Sequence, residues 1–146
     1  MSASNAFETS LLTLIFNNTN NANIGDATGL RGSSTAGVFY IGLHTADPGE
    51  AGTQTTSEAT YTGYARVSVV RSAVGFTISG NTVSNAAVVN FAVCTGGSNT
   101  ITHFSIGSDV SGTGNLFFSG ALTASLAVSN GITPNFAIGD LTTTTD

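Results

Sequence analysis

Lysine is missing from this 146-residue chain, and only three arginines (Arg31, Arg66 and Arg71) stand against eight acidic residues, for a formal net charge of −5. A surface so poor in cations cannot displace the counterions condensed on nucleic acid, and it repels polyphosphates and anionic membrane surfaces. Tryptophan is missing too, which removes the aromatic platform that a glycosidase carboxylate pair would need beside its sugar. The single Cys94 cannot form an intrachain disulfide and has no second cysteine at zinc-ligand or redox spacing. No nearby cation activates it, so it reads as a small buried hydrophobe. No apolar run approaches the ~20 residues needed to span a bilayer. Glu8 sits inside the first apolar run and no basic region precedes it, so no secretory signal is expected.

What the chain does have is 40% hydrophobic residues and many Ser, Thr, Asn and Gly. At this size about 70% of the unfolded surface can be buried, enough for one main core. Short hydroxyl and amide side chains lose little rotamer entropy when immobilised, so such a surface suits permanent contacts.

One segment has helical period. Phe7, Leu11, Leu14 and Ile15 recur at i, i+4, i+7 and i+8, with Asn5 and Glu8 as a capping box and Asn17-Asn18 as the stop. This predicts a helix over 5–16 whose apolar stripe docks on its own domain or on a neighbour. Residues 17–37, dense in Asn, Gly, Ser and Thr, read as a loop or extended arm, so 1–37 form a helix-and-arm segment. From Val38 the period becomes two, and strands are predicted at 38–44, 64–71, 75–79, 86–93, 101–107, 115–119, 122–128 and 136–142. Pro48-Gly49 and Ser79-Gly80-Asn81 are turn signals. Short strands without crossover helices predict an all-β, antiparallel β-sandwich or jelly roll over 38–142, with a flexible tail at 143–146. Val67, Val69, Val89, Phe91, Phe104, Ile106, Leu126 and Phe136 are its expected core.

Chemistry is sparse. His44 and His103 both lie in strand patterns without metal-ligand spacing and read as structural, hydrogen-bonded histidines. Asp47, Glu50 and Glu58 gather in one loop but lack the spacing of a calcium loop. They read as solvated charges, and no cofactor, metal or catalytic residue is expected. Arg66 stands inside a strand pattern, where even partial burial demands a partner; Glu58 is the near candidate, and an arginine facing outward on the solvent side of the sheet is the equal alternative.

Phe39-Tyr40-Ile41-Gly42-Leu43-His44-Thr45-Ala46-Asp47-Pro48-Gly49, then Glu58 and Tyr64-Ala65-Arg66-Val67, open an ordered series of motifs. Val89-Asn90-Phe91, Thr102-His103-Phe104-Ser105-Ile106-Gly107, Gly114-Asn115-Leu116, Ser119-Gly120-Ala121-Leu122 and Gly139-Asp140-Leu141 complete it. In this order, across about 38–141, the chain resembles a family of small virion structural proteins of tailed bacteriophages. The resemblance implies a non-enzymatic virion component, assembled in the host cytoplasm, and carries no catalytic residues. Compactness, acidity and an arm favour a capsid decoration or cement protein. A tail or tail-fibre-associated adaptor and a carbohydrate-binding adhesion module are the alternatives. The expected partners are the major capsid protein or other virion proteins and further copies of the chain, a trimer among the arrangements, with neither nucleic acid nor membrane. Phe7, Leu11, Leu14, Ile15 and Arg31 are the candidate partner contacts.

Overall fold

The computed structural model describes residues 3–22, 24, 29 and 31–145. Parts of the expected arm (23, 25–28 and 30) and Asp146 of the expected tail lie outside them. Among the described residues the regular structure is mostly strand in antiparallel sheets, with one short N-terminal helix. The helix is α1 (Asn5–Asn17), followed by β1 (Val38–His44), β2 (Val67–Val70), β3 (Phe76–Ser79), β4 (Thr82–Asn85) and β5 (Val89–Asn90). Then come β6 (Asn99–Gly107), β7 (Leu116–Val128), β8 (Asn135–Phe136) and β9 (Thr142–Thr144). Sheet orders are β2-β1-β6-β7, β3-β4-β9 and β5-β8.

Two compact units emerge. The first joins Met1–Val38, Val70–Val88 and Phe136–Asp146, and the second joins Phe39–Val69 and Val89–Asn135. This partition differs from the helix-and-arm plus sandwich division expected from the sequence, because α1 is part of the first unit's core.

In that first unit, Ser4 caps the helix by accepting the Phe7 N–H at 3.3 Å. Asn5, expected as the cap, is instead the first helical residue. Asn18 ends the helix in the left-handed region at φ 54°, a conformation asparagine tolerates. The buried side chains of α1 are Glu8, Leu12 and Phe16. This is a different face from the expected stripe: Leu11, Leu14 and Ile15 are half-buried and Phe7 is 43% exposed. Phe16 meets Phe76 of β3 edge-on, with ring centroids 5.0 Å apart.

The free carbonyls of the helix's last turn are satisfied from a distance. Arg71 donates from Nε to Ile15 O at 2.7 Å and from Nη2 to Leu14 O at 3.2 Å, which also sets a cation at the negative end of the helix. The sheet is two-sided. Phe76 and Val83 are buried, while the rows Thr77–Ser84–Thr142 and Ser79–Thr82–Thr144 line up on the opposite face, exposed or half-exposed.

In the second unit, β1 pairs antiparallel with β6 from Tyr40↔Gly107 to His44↔His103, and β6 pairs antiparallel with β7. Ile41, Leu43, Phe104 and Ile106 share one face of this sheet and are buried. Phe91 and Val89 are buried as expected, and so, in the first unit, is Phe136. Val67, Val69 and Leu126 are only half-buried, because β2 and β7 are the end strands of the sheet and have a neighbour on one side only.

Several element boundaries also differ. The expected strand at 64–71 shrinks to β2, since Tyr64 and Arg66 turn to polar partners, and 86–93 shrinks to β5. The expected strands 115–119 and 122–128 form one continuous β7, whereas 136–142 is split into β8 and β9 by a turn at 138–140.

Candidate functional site

The second unit concentrates its polar chemistry on the opposite face of β1 and β6, where His44 and Ser105 lie, under the chain from 45 to 66. A turn at Gln54–Ser57, with Ser57 at φ 53°, brings Glu58 beside the end of β1. The Ala59 N–H donates to Leu43 O at 2.8 Å and the Thr45 N–H to Ser57 O at 2.8 Å.

Glu58 and Arg66 form a bidentate ion pair: Nε donates to Oε1 at 2.6 Å and Nη2 to Oε2 at 2.8 Å. The Arg66 side chain is only 2% exposed. Its remaining donors reach the β6–β7 loop, Nη1 to Asp109 O at 2.9 Å and Nη2 to Gly112 O at 2.8 Å. Burial opposes the guanidinium charge, but the Glu58 bonds and field outweigh it, and the Arg66 pKa lies above its ordinary value. Tyr64 Oη donates to Glu58 Oε1 at 3.0 Å and accepts the Leu43 N–H at 3.0 Å. Burial and the Glu58 carboxylate push its phenol well above the ordinary range, against the Leu43 bond that favours the phenolate.

Gln54, fully buried, clamps the same loop. Its Oε1 accepts the Asp109 N–H at 2.9 Å and its Nε2 donates to Asp109 O at 3.3 Å. Gly107 makes room for it: a Cβ there would lie 2.2 Å from the Gln54 amide carbon.

His44 and Ser105 complete the layer. The Thr56 carbonyl, 2.8 Å from Nδ1, can only accept, so Nδ1 carries the proton and Nε2 accepts from Ser105 Oγ at 2.7 Å. Burial lowers the His44 pKa and favours this neutral form. The order of hydroxyl, imidazole and orienting oxygen is that of an activated nucleophile. Both residues are 0% exposed, however, so no substrate can reach the hydroxyl.

The other candidates take no part in this hydrogen-bond network, although His103 stands directly opposite His44 on the same face of β1 and β6. His103 is half-buried, with Nδ1 2.9 Å from its neighbour Thr102 Oγ1. Cys94 is buried, and its thiol donates to Gly96 O at 3.3 Å. Arg31 is exposed. Asp47 accepts the Gly49 N–H at 2.9 Å while Glu58 holds Arg66, and among the described residues no three acidic, histidine or cysteine side chains converge. Sequence reasoning missed Gln54, Tyr64, Ser105 and the helix-capping Arg71. Gly42 inside β1 and Gly107 at the end of β6 were the available signs of a close approach on that face: a Cβ at Gly42 would lie 2.7 Å from Ser105 Oγ.

The arrangement is a buried polar scaffold that fixes two loops to a sheet, and the reactive groups within it are sealed. A family model described as Podophage GP4 fiber I protein gp80 matches residues 2–144. No curated protein matches the chain. Since the family match leaves out only residue 1 and residues 145–146, the chain belongs to that family and is a structural protein of a tailed-phage virion.

Proposed function

We propose that the protein is a non-enzymatic subunit of the phage tail-fibre apparatus, acting by assembly with other virion proteins. The observation that carries this reading is the family match over 2–144, to a family whose name is that of a fibre protein. The geometry supports a scaffold: Glu58, Arg66, Gln54 and His44 are engaged inside the fold, and the His44–Ser105 pair is closed to solvent. Capsid decoration is the second reading. It has the acidic, charge-poor composition in its favour but no support from the family name. Cryo-EM of the virion carrying this chain, with antibody labelling, separates the two. Density and label on the tail support the fibre reading, and label spread over the head replaces it with decoration.

A further inference from the structure

The 45–58 loop is tied to the sheet through a side chain whose hydrogen bonding depends on a proton. His44 ends β1, is 0% exposed, and reaches in two directions. Its Nδ1 donates to Thr56 O at 2.8 Å inside the turn at Gln54–Ser57, and its Nε2 accepts from Ser105 Oγ at 2.7 Å on β6. Ser105 is 0% exposed as well. Gly42 leaves the space for this pair, since a Cβ there would also lie 3.4 Å from His44 Nε2. The turn needs such support, because Ser57 sits at φ 53°, a conformation that side-chain-bearing residues rarely adopt. On either side of His44 the loop is pinned by backbone bonds, Thr45 N–H to Ser57 O and Ala59 N–H to Leu43 O, both at 2.8 Å.

We propose that His44 is an acid-released latch, which holds the 45–58 loop on the sheet while its imidazole is neutral and frees the loop once the ring gains a second proton. A neutral ring donates at one nitrogen and accepts at the other, and Thr56 O and the Ser105 hydroxyl match that set. A protonated ring donates at both. The bond from Ser105 is then lost and its hydroxyl must turn, while a full charge stands where neither side chain meets water. Lifting the loop lets water reach the ring, so the charged ring favours the open loop.

The charges around the ring do not cancel this cost. Glu58, bridged to His44, attracts the cation, but both its oxygens hold Arg66, whose guanidinium repels it. His103 stands opposite on β6 and adds repulsion when charged. Tyr64 donates its phenol proton to Glu58, and Asp109 on the β6–β7 loop meets Arg66 through its carbonyl. Tyr40 lies on the same face of β1, and neither β2 nor β7 carries a titratable side chain. Burial outweighs the Thr56 bond and the Glu58 field, so the His44 pKa lies below its ordinary value. The sign follows: the closed loop is fully favoured above the ordinary histidine value of about 6.5 and loses stability as pH falls below it, because the open loop takes up the proton first. The inference goes beyond the fibre reading and stands without it.

Amide hydrogen exchange on the full-length protein at pH values of about 7.5 and about 5.5, both above the ordinary carboxylate range, tests the proposal. After correction for intrinsic rates, protection of the Thr45 and Ala59 amides should fall by about threefold or more at the lower pH, within the roughly tenfold that one histidine can supply over this window. Amides of β3 and β4, in the other unit, should keep their protection. His44→Gln, which retains a donor and an acceptor but does not titrate, should abolish the pH dependence, and His103→Gln should leave it in place. Where His44→Gln fails to fold, NMR of the wild-type ring decides. His44 should carry its proton on Nδ1 at the higher pH, and its titration should coincide with shifts of the Thr45 and Ala59 amides. Protection indifferent to pH, a loss shared equally by β3 and β4, a loss that survives His44→Gln or vanishes with His103→Gln, or a neutral ring protonated on Nε2 would each overturn the proposal.

Discussion

Arg66 keeps a full charge where its side chain has almost no water, and it can do so only while its partners stay in place. Removing one member of a buried pair leaves the other uncompensated. Arg66→Ala should therefore lower unfolding stability by about 3–5 kcal/mol. Arg66→Lys should recover little, because an ammonium cannot bridge both Glu58 oxygens and reach Asp109 O and Gly112 O from one plane. Replacing both members, as Arg66→Met with Glu58→Gln, should be less damaging than Arg66→Ala alone. Urea unfolding of the four proteins measures this, and an Arg66→Ala loss below ~1 kcal/mol would show that the pair is dispensable. The pairing was legible in the sequence because a charge in a strand pattern demands a counterion, and Glu58 lies eight residues upstream. The acceptors on the β6–β7 loop were not legible. They are backbone carbonyls, and every residue has one.

At the scale of elements, α1 shows how one polar residue can disguise a buried face. The stripe of large apolar residues, Phe7, Leu11, Leu14 and Ile15, is the one a helical period picks out. The face that packs is Glu8, Leu12 and Phe16, about a third of a turn away at ~100° per residue. Glu8 breaks that second stripe in the sequence. Leu12, fully buried, should lose about 2–5 kcal/mol on Leu12→Ala, while Phe7→Ala should change stability by less than ~1 kcal/mol. Chemical denaturation of both variants decides which face carries the helix, and a larger loss at Phe7 would reverse the assignment. Strand β7 was misread for a related reason. Gly120-Ala121 resembles a turn, yet Gly120 lies within the strand because a Cβ there would come 2.8 Å from the Phe104 ring. The all-β class and the limits of β1 were legible, β1 because a run of strand-forming residues is bounded by Gly37 on one side and the Asp47-Pro48-Gly49 turn on the other, even though Ile41 to His44 are all buried and burial does not alternate. The break between β8 and β9 was not, because Phe136 and Ile138 alternate correctly while the chain turns between Ala137 and Asp140.

For the whole molecule, the decisive quantity is the near absence of available cations. Of three arginines, Arg66 is bound to Glu58 and Arg71 to the end of α1, and Arg31 lies exposed. The exposed acids Asp47, Glu50, Asp109 and Asp140 give the surface one dominant sign. A contact made by such a surface relies on apolar area and neutral hydrogen bonds, as the open faces of α1 and β7 provide. Screening then has little to weaken. Attachment to the virion should persist as salt rises from ~0.1 to ~1 M, over which the screening length falls from about 10 to about 3 Å. A chelator should also leave the protein in place, because Glu58 is held by Arg66 and Tyr64 and does not converge with Asp47 and Glu50 on an ion. The measurement is the fraction of protein released from purified particles across NaCl at fixed pH, with the chelator added in a separate series. Release by NaCl alone would assign attachment to Arg31 or to basic residues on the partner, and release by chelator alone would assign it to a bridging divalent cation. Retention in both series is the outcome expected of a chain that binds two of its three arginines within its own fold and carries no charge along β7.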